Sequence, residues 1–143
     1  MKILILNPIG RLSDGSYVCL FPSRWDAAMG WKIPFHYFPF ELAYLSALLK
    51  RDLKGSKLKL LDGNFQWLNV PQYFEYIDEV SGEDWWDICI TECSALTYPD
   101  MTLLINKLKK WRMIRKAWLC GPYGAANEAK ALADGWDQVF RGE

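Results

Sequence analysis

The sequence has only one histidine, His36, and four cysteines in 143 residues. A Ser-His-Asp or Cys-His catalytic arrangement would have to use His36, which we interpret as a packed or solvent-edge imidazole among aromatic neighbours. No third cysteine lies close to Cys89 and Cys93, so their spacing favours neither a zinc site nor an iron–sulfur site. We expect reduced, mostly buried thiols, and we assign no catalytic residue and no metal ligand.

The chain also lacks an excess of either charge and any long apolar run. Seventeen basic residues balance seventeen acidic ones, so no basic field points to nucleic acid as a partner. No segment approaches the ~20 apolar residues that span a bilayer, and the opening apolar run is too short for a signal peptide. We therefore expect a cytoplasmic protein that has no membrane partner.

A glycine-rich phosphate loop is missing as well. The first apolar run ends in Asn7-Pro8-Ile9-Gly10, which has neither the Walker spacing nor the dinucleotide fingerprint. A phospho-acceptor receiver domain would need carboxylates after the first and third strands, where this chain has Asn7 and Thr91. Nucleoside triphosphate-binding proteins, dinucleotide-binding proteins and phospho-acceptor receiver domains are therefore excluded.

What the chain does have is an alternation of apolar strands with amphipathic helices. The pattern predicts strands at 2–7, 57–61, 87–91, 117–120 and 138–140, and helices at 39–54, 71–80, from 99 onward, and at 125–133. Runs that are apolar at consecutive positions indicate strands buried on both faces. We predict a single α/β domain over 1–143: a doubly wound (flavodoxin-like or Rossmann-like) five-stranded parallel sheet in three layers.

Aromatic residues make up 15% of the chain, including eight tryptophans. We place Trp111 and Trp118 on core-facing positions. A predicted loop at 9–38 is unusually long and therefore suggests a function. It carries five further aromatic residues, which we expect to lie near the ligand-binding crevice of the sheet and to cover the bound ligand: Trp25, Trp31, Phe35, Tyr37 and Phe38.

Ligands of doubly wound sheets bind at the carboxyl ends of the strands, beside the point where the strand order reverses. Asp62 and Asp137 flank strands too, but turn capping explains them. Six segments, taken together, form a pattern that bears on function: MKILILNP (1–8), PFELAYLSALLK (39–50), LKLLD (58–62), DICIT (87–91), CGP (120–122) and DQVFRGE (137–143). In order and spacing they resemble the cobalamin-binding domain that precedes the radical SAM barrel in cobalamin-dependent radical SAM enzymes.

The resemblance implies a cofactor, cobalamin, and a set of residues that contact it. Backbone approach at glycine turns and hydroxyls along the corrin rim suit such a ligand. The residues at the corresponding positions are Asn7, Pro8, Gly10, Thr91, Ser94, Thr97, Cys120, Gly121, Pro122 and Tyr123. No histidine follows the first strand, so the resemblance implies cobalamin with no protein histidine on cobalt.

The expected function is that of a cofactor-binding module in a radical SAM system of the methyltransferase type. The cluster motif of the radical SAM domain is absent, so we expect no iron–sulfur cluster and no catalysis by this chain alone, with a radical SAM domain as partner in cis or in trans. Cys120 stands where the family has a glycine. One alternative is a degenerate interaction or structural module that no longer binds cobalamin, and another is a binder of a different flat cofactor.

Overall fold

A five-stranded, all-parallel sheet forms the centre of the protein. The computed structural model describes residues 1–19, 29–31 and 39–141. The sheet strands are β1 (Lys2–Asn7), β4 (Lys57–Asp62), β5 (Trp86–Glu92), β6 (Ile114–Cys120) and β7 (Gln138–Val139). Their order across the sheet is β4-β1-β5-β6-β7, and every neighbouring pair is parallel. The predicted doubly wound α/β fold is confirmed.

Helices cover both faces because the central strands are apolar at consecutive positions. Leu4, Ile5 and Leu6 are fully buried, and neighbouring side chains of a strand point to opposite faces. Helix α1 (Phe40–Asp52) packs with Ile3 and Ile5 on one face. Helices α2 (Val70–Ser81) and α3 (Tyr98–Lys110) cover the other face, over the side of β1 that carries Leu4 and Leu6.

The helix ends show why these segments stop where they do. Helix α2 begins with a capping box, in which Asn69 accepts a hydrogen bond from the Gln72 backbone and the Gln72 side chain accepts one from the Asn69 backbone. The predicted helix at 125–133 is divided into α4 (Pro122–Ala126) and α5 (Glu128–Ala133). The division falls at Asn127, whose side chain donates to the Tyr123 carbonyl and so competes with helical bonding.

The predicted loop at 9–38 contains a small antiparallel ribbon that sequence analysis missed. It consists of β2 (Tyr17–Cys19) and β3 (Met29–Trp31). Both strands are only three residues long, too short for a period to show in the sequence. Trp25, Phe35, His36, Tyr37 and Phe38 lie outside the described residues, as do Gly142 and Glu143.

One core prediction was wrong. Trp111 is 66% exposed, because it lies just past the last residue of α3 and meets only the edge of Phe74, with ring centroids 6.0 Å apart. Trp118 is half-buried. Asp137 accepts hydrogen bonds from the Ala117 backbone on β6 and from Lys109 on α3, so it links these two elements instead of capping a turn as predicted. Within the described ranges, no helix is long and apolar enough to cross a membrane.

Tyr73 ties α2 to the carboxyl edge of the sheet. Its hydroxyl lies 2.8 Å from the carbonyl oxygen of Asn7 and 2.9 Å from that of Leu61, so one proton serves the ends of two strands. The side chain is fully buried, and burial raises the pKa of its hydroxyl. A Cβ atom on Gly63 would lie 2.4 Å from the ring, so glycine at that position makes room for it.

Removing this hydroxyl tests how far the edge depends on it. Tyr73→Phe leaves two buried carbonyls without their shared donor, and we expect the free energy of unfolding in urea to fall by about 1–2 kcal/mol. Tyr76→Phe, on the half-buried side of the same helix, is the matched control and should stay within about 0.5 kcal/mol of the wild type. Equal losses in the two variants would contradict the role given to Tyr73.

Candidate functional site

The strand order places the reversal point between β1 and β5. The chain leaves β1 toward α1 on one face and leaves β5 toward α3 on the other face. In sheets of this order the two loops separate at the carboxyl edge and leave a crevice between them, which is the usual ligand position. The ten predicted contact residues follow β1, β5 and β6, and so all lie along this edge.

The loop after β1 is packed against the chain itself. The Asn7 side chain donates to Asp62 at 2.7 Å, and Pro8 is buried. A Cβ atom on Gly10 would lie 2.6 Å from the Asn64 carbonyl oxygen, and the Gly10 backbone N–H donates to the Leu68 carbonyl at 3.0 Å. The close backbone approach predicted at Gly10 is therefore made by the loop after β4.

The same loop after β4 also holds the antiparallel ribbon. The side-chain amide of Asn64 donates to the Val18 carbonyl at 2.7 Å, and it lies 3.4 Å from the Ile9 carbonyl oxygen. Asn64 is fully buried. Asn64 thereby holds both the loop after β1 and strand β2 in place, so its polar contacts at this end of the edge are structural.

The hydroxyls after β5 are used to start α3. Thr91, Ser94 and Thr97 are all buried. The Ser94 backbone donates to the Thr97 hydroxyl at 3.0 Å, the Thr97 backbone donates to the Ser94 hydroxyl at 3.2 Å, and the two hydroxyls are 3.2 Å apart. The Thr91 hydroxyl donates to the Glu92 carbonyl at 3.3 Å. The predicted hydroxyls are thus turned into the protein and bonded locally.

The turn after β6 is the more open part of the edge. Gly121 has φ +92° and ψ 170°, a backbone conformation that is essentially restricted to glycine. A Cβ atom there would lie 2.7 Å from Cγ of Glu92. Pro122 is exposed at the start of α4, and the Tyr123 ring packs on Tyr98 with centroids 4.6 Å apart.

A row of four polar side chains crosses the edge on the face that carries α1. Asn7 pairs with Asp62, and Glu92 pairs with Cys120. The register of β1 with β5, in which Leu6 pairs with Thr91, brings Asn7 beside Glu92. Each of the four side chains extends a column of apolar side chains in the cluster on this face of the sheet.

Glu92 is the one functional candidate in this row that sequence analysis missed. Burial raises the pKa of its carboxyl, and the negative charge of Glu41 raises it further. Burial, together with the charge of Glu92, also raises the pKa of Cys120, to about 11. A carboxyl with a raised pKa takes up a proton more readily than a free one, and in its protonated form it can donate a hydrogen bond to an amide or carbonyl oxygen of a ligand.

Two further observations bear on chemistry at this edge. In the described ranges, no group of three or more His, Cys, Asp or Glu side chains is placed to hold a metal ion. Cys89, Cys93 and Cys120 are free thiols, and burial raises the pKa of each. Thiols that stay protonated are poor nucleophiles, so none of the three is suited to nucleophilic catalysis.

Comparisons with family models, curated proteins and solved structures give no match.

The raised pKa of Glu92 predicts a specific pH dependence of stability. The folded protein binds this proton more tightly than the unfolded chain does, so the stabilisation is complete below an unfolded glutamate pKa of about 4.3 and is lost as pH rises through the higher folded pKa. Glu92→Gln removes this pH-dependent loss of stability, because a glutamine side chain does not titrate. We expect its unfolding free energy, relative to the wild type, to increase from about pH 4 toward pH 7.

Urea unfolding across this range measures the effect, with carbon NMR titration of the Glu92 carboxyl as a direct check. Glu83→Gln, at an exposed site just after α2, is the matched control. The difference between its unfolding free energy and that of the wild type should be the same across this pH range. Parallel pH profiles for Glu92→Gln and the wild type would refute the assignment.

Proposed function

We propose that the chain is a cobalamin-binding module that serves a radical SAM domain, in cis or in trans, in a reaction of the methyl-transfer type. The observation that carries the proposal is the strand order, which puts the reversal point between β1 and β5. Four of the segments that resemble the cobalamin-binding family, 1–8, 58–62, 87–91 and 120–122, end at or just beyond that edge. When bound, cobalamin would supply a cobalt atom able to carry a methyl group. The chain itself would bind and orient the cofactor.

The ten predicted contacts fit the cofactor unequally. Gly10, Ser94 and Thr97 are engaged by the chain's own loops, so they fit a corrin poorly. The turn from Cys120 to Tyr123 fits better, because Pro122 is exposed and Gly121 brings backbone to the edge. We therefore place the main contacts at the carboxyl ends of β5 and β6.

Glu92 adds a polar contact to this half of the edge. A corrin carries a rim of amides, and a carboxyl with a raised pKa can donate to an amide oxygen. Its neighbour Cys120 is half-buried and neutral. These two side chains and the Gly121 turn form the contact set that we assign to the cofactor.

The proposal also includes the cytoplasm as the compartment. Cys89, Cys93 and Cys120 are free thiols, as expected in a reducing environment.

Cobalamin retention with a blocking variant tests the proposal. Protein mixed with hydroxocobalamin is passed through gel filtration, and the visible spectrum of the protein peak is recorded. Ala95→Trp places a bulky ring on an exposed residue of the loop after β5 and should abolish retention by closing the crevice. Ala129→Trp, an exposed position on α5, is the matched control and should retain the corrin. No corrin absorbance with the wild-type protein would overturn the proposal.

The alternative is an α/β interaction module that does not bind cobalamin. The observation that favours it is the loop after β5, where the Ser94 and Thr97 hydroxyls satisfy each other and leave little for a ligand. Wild-type protein that elutes without corrin while remaining folded by circular dichroism would support this second function.

A further inference from the structure

Half of one sheet face has no helix on it. On the face that carries α1, that helix packs on β4 and β1, and in the described part of the chain no other helix lies on this side of β6 and β7. Trp118 and Cys120 of β6 are only partly buried there. Phe140, next to β7, is 42% exposed and packs edge-on against Trp118, with centroids 5.4 Å apart. The result is a strip flanked by α1 that is apolar along β6 and at Phe140, with the exposed side chain of Gln138 beside Trp118.

The strip opens into a groove toward the starting ends of the strands. The groove has a volume of about 390 Å³ and is lined by Met1, Asp87, Ile88, Arg115, Lys116 and Trp118. It lies at the opposite end of β5 and β6 from the cofactor edge. The groove inference does not rest on the proposed function, although the strip above the groove reaches Cys120 at the cofactor edge.

The charges of the groove are unbalanced. Asp87 already accepts a hydrogen bond from the Lys2 backbone at 2.7 Å. Arg115 and Lys116 are exposed, and neither forms a salt bridge with another residue of the described ranges. An occupant that carries carboxylates would complement these two cations.

The width of the strip matches a single α-helix. Neighbouring strands lie about 4.8 Å apart. Where β7 pairs with β6, at Trp118 and Leu119, the two strands together offer a strip about 10 Å wide, which is the diameter of a helix with its side chains. Parallel sheets are normally covered on both faces by helices. A helix is therefore the element that the strip fits.

We propose that this groove is a docking site for an amphipathic α-helix of a partner protein. The helix presents an apolar stripe to Ile88, Trp118 and Phe140. It carries acidic residues at the end that lies over Arg115 and Lys116. Apolar burial holds the helix, and the paired charges set its direction along β6.

A pair of synthetic peptides tests this docking. Each is a fluorescein-labelled helix of about 18 residues, or five turns, with a leucine stripe, and the two differ only in having Glu or Lys at one end. Fluorescence anisotropy should show that wild-type protein binds the Glu peptide at least about tenfold more tightly than the Lys peptide. The double variant Arg115→Glu, Lys116→Glu should instead bind the Lys peptide more tightly than the Glu peptide. Trp118→Glu should weaken the binding of both peptides by a similar factor.

The matched control reverses two exposed cations elsewhere, Arg51→Glu with Lys54→Glu, and should keep the wild-type preference. Circular dichroism verifies that every variant is folded. Failure of both peptides to bind, or a preference that survives the double reversal, would overturn the proposal. A dimer in light scattering that Trp118→Glu dissociates would overturn it in favour of a second copy of the chain.

Discussion

The burial of β1 on both faces is the constraint on which the rest of the structure depends. Leu4, Ile5 and Leu6 are completely removed from solvent, which requires a layer of helices on each side of the sheet. The chain must therefore leave neighbouring strands toward opposite faces, and the gap at the carboxyl edge is the geometric result. Packing of the central strand thus determines where a ligand can bind, before any polar residue is considered.

The carboxyl edge divides into a closed half and an open half. Near β1 and β4, Asn64 and Tyr73 use their polar groups to hold loops together. Near β5 and β6, the Gly121 turn and the half-buried carboxyl of Glu92 remain accessible. The division matters for the cofactor proposal, because a broad ligand would rest on the open half and only touch the rim of the closed one.

Consecutive apolar residues made β1 and β5 predictable from sequence, since such runs are typical of strands buried on both faces. The other three sheet strands were predicted from shorter apolar runs bounded by turn residues. Glu92 was missed because its importance comes from the register of β5 with β6, a long-range property. The Ser94 and Thr97 hydroxyls were assigned to a ligand because composition cannot show where a hydroxyl donates its proton. Trp111 was misplaced because helical spacing continues by one residue past the end of α3.

The bridge made by the Tyr73 hydroxyl has a consequence for the order of assembly. Its two acceptors lie on β1 and β4, and Asn7 is 66 residues away in the chain. Helix α2 can complete this bridge only when those strands are paired, so we expect this corner of the molecule to form late and as one cooperative unit. Local opening of α2 would release the Asn7 loop in the same event, which couples the two segments in hydrogen exchange.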